Sequence, residues 1–222
     1  MSRPAPFRIT ILISGRGSNM TAIARACLAG TLDAEVTDVI SDRAEAAGLA
    51  AARDLGAATA TVPRPPGLSS ADFEAQLVRA IEAARPDAIA LAGFMRILST
   101  PFVERYLGRM LNIHPSLLPA YRGLHTHRRV LAAGEAEHGA SVHFVTPELD
   151  AGPIVLQSKV RVHPDDSEDS LAARVIATEH VIYPRVLGWF AQRRLQWHDG
   201  GAWLDGTRLE TPIVEDFRAA AI

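Results

Sequence analysis

Residues 7–30, FRITILISGRGSNMTAIARACLAG, decide the fold. Phe7 to Ser14 is a nearly continuous apolar run, the pattern of a central strand covered on both faces. It breaks at Gly15-Arg16-Gly17-Ser18-Asn19 and passes directly into a helical pattern that Gly30 closes. Strand, glycine turn and helix form a phosphate-binding arrangement. The glycines let backbone approach an anion, and the helix N-terminus offers unbonded N–H groups and a positive dipole end. The same residues also fit an ordinary strand-to-helix turn with Ser18 or Asn19 as N-cap. A dinucleotide fingerprint does not fit, because its third glycine falls on Met20, and no Gly-Lys-Ser/Thr follows for a P-loop.

Outward from that unit, strands and helices alternate. Ala34 to Ser41 reads as a strand, Arg43 to Leu55 as a helix stopped by Gly56, and Ala58 to Val62 as a short strand. The turn-rich PRPPGLSS leads into a helix from Ser70 to Ala84, capped by Ser69 or Ser70, and then a strand from Ala88 to Ala92. This alternation predicts the α/β class, a Rossmann-like, mostly parallel sheet flanked by helices. Asp42 stands where a ribose-binding acid could stand, but is discounted for want of the third glycine. Gly93 to Leu98 (GFMRIL) follows a strand at its carboxyl end, where open α/β sheets bind ligands. Its apolar residues and one arginine suit a flat, partly anionic molecule, or else a loop packed on the core. A short helix is expected from Pro101 to Leu107.

Candidate chemistry gathers between Met110 and Gln157. Met110 to Ile113 reads as a strand, so Asn112 and His114 share one face at its end. Pro115 to Gly123 is a stiff loop and His125 to Ala133 a helix. A second strand, Ser141 to Thr146, carries His143 and is followed by a loop holding Asp150 and by a strand-like run from Ile154. An amide and an imidazolium can stabilise an oxyanion while a carboxylate organises proton movement, so Asn112, His114 and Asp150 suit acyl-type transfer. They also fit plain hydrogen-bonding at strand ends. His125 and His127 do not share a helix face, and no metal is expected.

Asp165-Asp166-Ser167 opens a long amphipathic helix through Val186 and beyond, with a kink expected at Pro184. Glu179 lies in it, either facing solvent or presented to a cleft. Asp199-Gly200 and Asp205-Gly206 signal hairpin turns, so Leu195 to Leu209 reads as a small C-terminal β appendage and Thr211 to Ile222 as a tail.

With 222 residues, 48% hydrophobic and 22% charged, the chain suits one domain with a substantial core. A net charge of −2 gives no general case for nucleic acid or an anionic membrane. The N-terminus lacks a signal-peptide pattern, and the lone cysteine, Cys27, fits a reducing, cytoplasmic setting as a buried thiol.

Six motifs in order carry a resemblance: ISGRGSNM, LAGFMRIL, LNIHPSLLP, GLHTH, GASVHFVTPELDAGPI and TEHVIYP. Over nearly its whole length the chain resembles the glycinamide ribonucleotide formyltransferases, folate-dependent enzymes of purine synthesis. The resemblance implies a single formyltransferase domain over 1–222: an N-terminal half at 1–108 with the phosphate-binding turn, a catalytic half at 109–194, and a hairpin and tail at 195–222. It implies 10-formyltetrahydrofolate as co-substrate and Asn112, His114 and Asp150 as catalytic residues. Gly17, Ser18 and Asn19 would hold the substrate phosphate, and Glu179 its sugar or glycinamide portion. Met95, Arg96, Ile97, Leu98 and Asn112 would bind folate, and His143 would support the site. Arg16 and Ala120 depart from the family pattern, and Arg122 could replace the basic residue missing at Ala120. The implied partners are small molecules, with no nucleic acid and no membrane, in a monomer or homodimer. Three rivals are kept in view. A formyltetrahydrofolate deformylase would carry an N-terminal regulatory domain, whereas the first strand begins at residue 7; a methionyl-tRNA formyltransferase would need an RNA-binding domain; a nucleotide-binding module would lack catalysis.

Overall fold

The computed structural model describes residues 5–219; residues 1–4 and the end of the expected tail, 220–222, lie outside the described residues. The chain divides into two compact units, Met1–Leu111 and Asn112–Ile222.

In the first unit, Phe7–Ile13 forms β1, with Ile9, Ile11, Leu12 and Ile13 fully buried. Such a strand needs neighbours on both edges. It has parallel partners in β2 (Ala34–Ser41) and β4 (Ala88–Leu91), and β3 (Ala58–Thr61) pairs parallel with β2, giving the order β4-β1-β2-β3. The intervening helices are α1 (Ser18–Leu28), α2 (Ala47–Asp54), α3 (Ser70–Ala84) and α4 (Thr100–Arg105). Phe73, Leu77, Ile81 and Ala84 recur at helical spacing on α3 and form its buried face. Ser69 starts that helix by accepting the Asp72 N–H at 3.0 Å.

Two boundaries differ from the sequence reading. The N-cap of α1 is Gly17, in the left-handed region at φ 71, and not Ser18 or Asn19, which lie inside the helix. Only a residue without Cβ takes that conformation at little cost, so backbone geometry outranks side-chain capping here. α2 begins at Ala47 and not Arg43, because Ser41 Oγ first accepts the Arg43 N–H at 3.1 Å and holds a turn.

β5 (Met110–His114) starts in the first unit and ends in the second. The second unit continues with α5 (Thr126–Ala133), β6 (Glu137–Phe144), β7 (Ile154–Arg161) and the 24-residue α6 (Glu168–Ala191). β6 and β7 are antiparallel and approach very closely: a Cβ on Gly139 would lie 1.7 Å from the Ser158 carbonyl oxygen. β6 starts four residues before the expected Ser141: Glu137-His138-Gly139-Ala140 carry no apolar alternation to announce a strand but pair with Arg161 to Ser158 of β7. α6 packs Leu171, Val175, Thr178, Ile182 and Val186 inward, beside β6 and β7. It runs on through Pro184 to Ala191, with Ser167 and Ser170 closing a capping box at its start.

β8 (Leu195–His198), β9 (Gly201–Leu204) and β10 (Thr207–Arg208) make a small antiparallel sheet, tied inward where Phe144 meets Trp197 at 5.3 Å between ring centroids. The segment expected as a tail contributes a further strand, β11 (Ile213–Asp216), parallel to β7. Its IVED sequence is too short and too acidic to announce a strand. The molecule is thus of the α/β class, mostly parallel strands flanked by helices with a small antiparallel sheet near the C-terminus.

Candidate active site

The glycine turn leaves the carboxyl end of β1 in the first unit. Gly17 is buried, Ser18 exposed and Asn19 buried at the first turn of α1. The turn is gripped from α2: the Gly48 N–H donates to Gly15 O at 3.0 Å, and a Cβ on Gly17 would lie 3.0 Å from Gly48 Cα. Gly48 also has no room for a Cβ, which would meet Ile13 Cδ1 at 2.6 Å. Sequence reading missed it; its only signal is a glycine within an alanine-rich helical pattern. Arg16 is exposed.

The 93–98 segment is fastened to the same end of β1. Ser14 N–H donates to Gly93 O at 3.1 Å, and Ser14 Oγ accepts the Met95 N–H at 2.8 Å. Met95 and Ile97 are 56% and 80% exposed, whereas Leu98 is buried in the core. Apolar side chains held in solvent suit a ligand; Leu98 has only its backbone to offer. Arg96 is not free for an anion: its Nε donates to Asp42 Oδ2 at 2.6 Å, and the Asp42 side chain is fully buried. Asp42 thus anchors this segment.

The second unit brings Asn112, His114 and Asp150 together, with His143 among them. His143 Nδ1–H donates to its neighbour's carbonyl, Phe144 O, at 2.9 Å, so Nε2 is left as an acceptor. Burial pushes the His143 pKa down to about 4, outweighing the Phe144 hydrogen bond and the Asp150 charge, so the ring is neutral at pH 7. Asn112 Nδ2 lies 3.1 Å from Nε2 and must be the donor. The orientation of the Asn112 amide is thereby fixed, with one N–H and the carbonyl oxygen left to a ligand.

His114 Nε2 lies 3.0 Å from Tyr121 O, and Nδ1 lies 3.5 Å from Asp150 Oδ2. The carbonyl is an acceptor, so Nε2–H donates to it, and Nδ1 is left facing the carboxylate at the outer limit of hydrogen-bond distance. Asp150 adopts φ 50, and its Oδ2 also accepts the Gly123 N–H at 2.9 Å. Its Oδ1 lies 3.8 Å from neutral His143, too far for a hydrogen bond. Both histidines and Asp150 have side chains less than a tenth exposed, where charge interactions are weakly screened.

A buried polar network sets the position of the Tyr121 carbonyl. Ser141 Oγ donates to Ser116 O at 2.6 Å and accepts from Leu118 N and Gln157 Nε2 at 3.1 and 2.9 Å. Gln157 Nε2 also donates to Leu118 O at 2.8 Å, and Ser116 Oγ to Ala120 O at 2.7 Å. Arg122 Nη1 pairs with Glu148 at 2.6 Å on the surface, bridging to the Asp150 loop, and Ala120 is exposed. Glu179 is buried on α6 beside Thr178, whose hydroxyl meets Ser158 Oγ of β7 at 2.7 Å; it is not a solvent-facing helix residue. His127 Nδ1 and His138 Nε2 lie 3.0 Å apart, and burial lowers both pKa values, to about 3 for His138. Among the described residues no group of three or more His, Cys, Asp or Glu could hold a metal ion, and no helix is long and apolar enough to cross a membrane.

Comparison with known proteins places these features in context. The formyl transferase family model matches residues 7–187. The phosphoribosylglycinamide formyltransferase of Escherichia coli (strain K12) is 53% identical over 201 residues, covering 90% of this chain and 95% of that protein. The solved phosphoribosylglycinamide formyltransferase of Coxiella burnetii superposes with a TM-score of 0.90 at 48% identity, covering 95% of this chain and 99% of that one. A solved formyltetrahydrofolate deformylase from Pseudomonas syringae superposes at 0.83 with 26% identity, covering 90% of this chain but 66% of its own.

Proposed function

This chain belongs to the formyl transferase family, and from that premise we propose that it transfers the formyl group of 10-formyltetrahydrofolate to the amino group of glycinamide ribonucleotide. It is an enzyme, and the activity is the one for which its relatives are named, phosphoribosylglycinamide formyl transfer in purine synthesis. The observation that carries the assignment of roles is the seating of His114 between an acceptor carbonyl and the Asp150 carboxylate, beside an Asn112 amide whose direction His143 fixes.

The amine of the nucleotide attacks the formyl carbon, forming the new C–N bond, and negative charge develops on the formyl oxygen. Asn112 donates its remaining amide N–H to that oxygen, and the His114 imidazolium stabilises it in a poorly screened setting. Asp150 supports the imidazolium and directs the amine's proton toward folate N10, which leaves as the bond from it to the formyl carbon breaks. Gly17, Ser18 and Asn19 hold the phosphate at the N-terminus of α1, and Glu179 the sugar or glycinamide portion. Folate lies against Met95 and Ile97 and uses backbone groups of the 95–98 segment, with Arg96 retained by Asp42 as its anchor.

In this reading residues 1–222 act as one formyltransferase domain working on small molecules in the cytoplasm, as a monomer or homodimer, with no metal, nucleic acid or membrane. The test is the purified chain with both substrates and with the nucleotide omitted. Tetrahydrofolate formed in step with N-formyl product, and only when nucleotide is present, is the expected outcome. Folate release with free formate in the omission arm assigns a hydrolase instead.

A further inference from the structure

Both contacts that seat His114 against Asp150 come from one turn of the second unit. Tyr121 O accepts the His114 Nε2–H at 3.0 Å. Two residues on, the Gly123 N–H donates at 2.9 Å to Asp150 Oδ2, the oxygen that faces His114 Nδ1 at 3.5 Å. This turn needs outside support. Tyr121, Gly123 and His125 stand at φ 57, 78 and 58, and only the middle one is glycine. Left-handed backbone at a residue with a Cβ persists where its surroundings impose it.

The buried network of Ser116, Ser141 and Gln157 fixes the chain up to Ala120. Beyond Ala120 the turn is held from α5. Helix side chains lean toward the N-terminus, so Arg129, in the first turn of α5, overlies the segment that enters the helix. Its Nη1 donates to Arg122 O at 2.7 Å and lies 3.5 Å from Leu124 O, and its guanidinium carbon stands 5.3 Å from the centre of the Tyr121 ring. The outer end of that ring is tied as well, because the Tyr121 hydroxyl donates to Glu135 Oε1 at 2.7 Å just past α5. Arg122 also pairs with Glu148, but those side chains are 39% and 73% exposed, where an ion pair holds little.

We propose that Arg129 is a positioning residue for the reaction: it clamps the turn from Tyr121 to Leu124 and thereby fixes His114 against Asp150. One guanidinium grips the turn twice, through the Arg122 carbonyl and through the face of the Tyr121 ring. The Tyr121 carbonyl and the Gly123 N–H lie on either side of that grip, so both His114 and Asp150 are aligned by it. As a role in catalysis this rests on the formyl-transfer reading; the clamp itself does not.

The test combines kinetics with NMR on the full chain. Arg129 is exposed, so Arg129→Ala removes no core packing. It is expected to lower kcat about tenfold with KM for both substrates within about twofold, because the reacting groups lose alignment while the binding residues stay. The backbone amide signal of Gly123 and the ring nitrogen signals of His114 should shift in the same variant. Arg129→Lys, which can still lie over the Tyr121 ring and reach one carbonyl, should recover part of both effects. Arg128→Ala removes the same charge one residue away and should leave kcat and these signals as in the parent. Unmoved signals at Gly123 and His114, kcat within about twofold of the parent, or an equal loss in Arg128→Ala would overturn the proposal. A raised KM at unchanged kcat would overturn it too, making Arg129 a substrate-binding residue. If the parent shows no formyl transfer yet the signals move in Arg129→Ala, the clamp is supported and the formyl-transfer reading fails.

Discussion

Asp150 holds its backbone at φ 50, a conformation that aspartate tolerates better than most residues, and from there one carboxylate oxygen serves both Gly123 N–H and the His114 ring. Replacing its charge while keeping its shape separates the two duties. Asp150→Asn is expected to lower kcat by roughly a hundredfold or more with little change in melting temperature, read by steady-state kinetics and calorimetry. His143 makes a different prediction, because it serves as a neutral ring. The unfolded chain binds a proton there below about pH 6.5, which the folded chain refuses until about pH 4. Stability is therefore expected to fall as pH drops through that window, by about 2 kcal/mol from this residue between pH 7 and 5. Urea unfolding of the parent and of His143→Gln at the two pH values isolates it from the same-signed losses at buried His127 and His138, and an equal fall in both proteins would place a charged His143 in the folded protein. Asn112, His114 and Asp150 were legible as candidates because their residue types sit at strand ends and in a loop between strands, and the structure brings them together. The function of His143 in setting the Asn112 amide was not, since it depends on which ring nitrogen meets the Phe144 carbonyl. The Tyr121 carbonyl leaves no mark in side-chain identity at all.

The strand, turn and helix that begin the chain were readable because a doubly covered strand is apolar throughout and a glycine turn interrupts it abruptly. What could not be read was how closely the turn is packed. Gly17 combines φ 71 with contact against Gly48, so Gly17→Ala is expected to cost about 1–2 kcal/mol of stability. In the proposed reading it also raises KM for the nucleotide more than it lowers kcat, because the turn binds phosphate and takes no part in bond making. Between β6 and β7 the constraint is harsher. A Cβ on Gly152 would lie 1.8 Å from the Phe144 carbonyl oxygen, so Gly152→Ala is expected to cost about 3 kcal/mol or more, seen as a lowered denaturation midpoint. That strain falls two residues from Asp150, and activity should drop with stability. β6 was read short and β11 missed because polar or short strands take their structure from neighbours, Glu137 opposite Arg161 and Ile213 opposite Leu156, and not from their own periodicity.

Taken together, the α/β class followed from alternating strands and helices, and the small antiparallel sheet from two Asp-Gly turns. The identity of the reaction needed more than pattern. Residue types suggested acyl-type chemistry, and six ordered motifs suggested the family that the comparisons then gave. Pairing of Arg96 with Asp42 and of Arg122 with Glu148 lies beyond either source, because an ion pair across the fold is set by geometry that spacing does not encode. The central claim is nucleotide-dependent formyl transfer through Asn112, His114 and Asp150. It is tested most directly by following tetrahydrofolate and N-formyl glycinamide ribonucleotide together in the parent chain and in Asp150→Asn. Matched formation of both products, abolished without nucleotide and reduced roughly a hundredfold or more in the variant, is the predicted result. Full activity in Asp150→Asn, or folate release without N-formyl product, would contradict it.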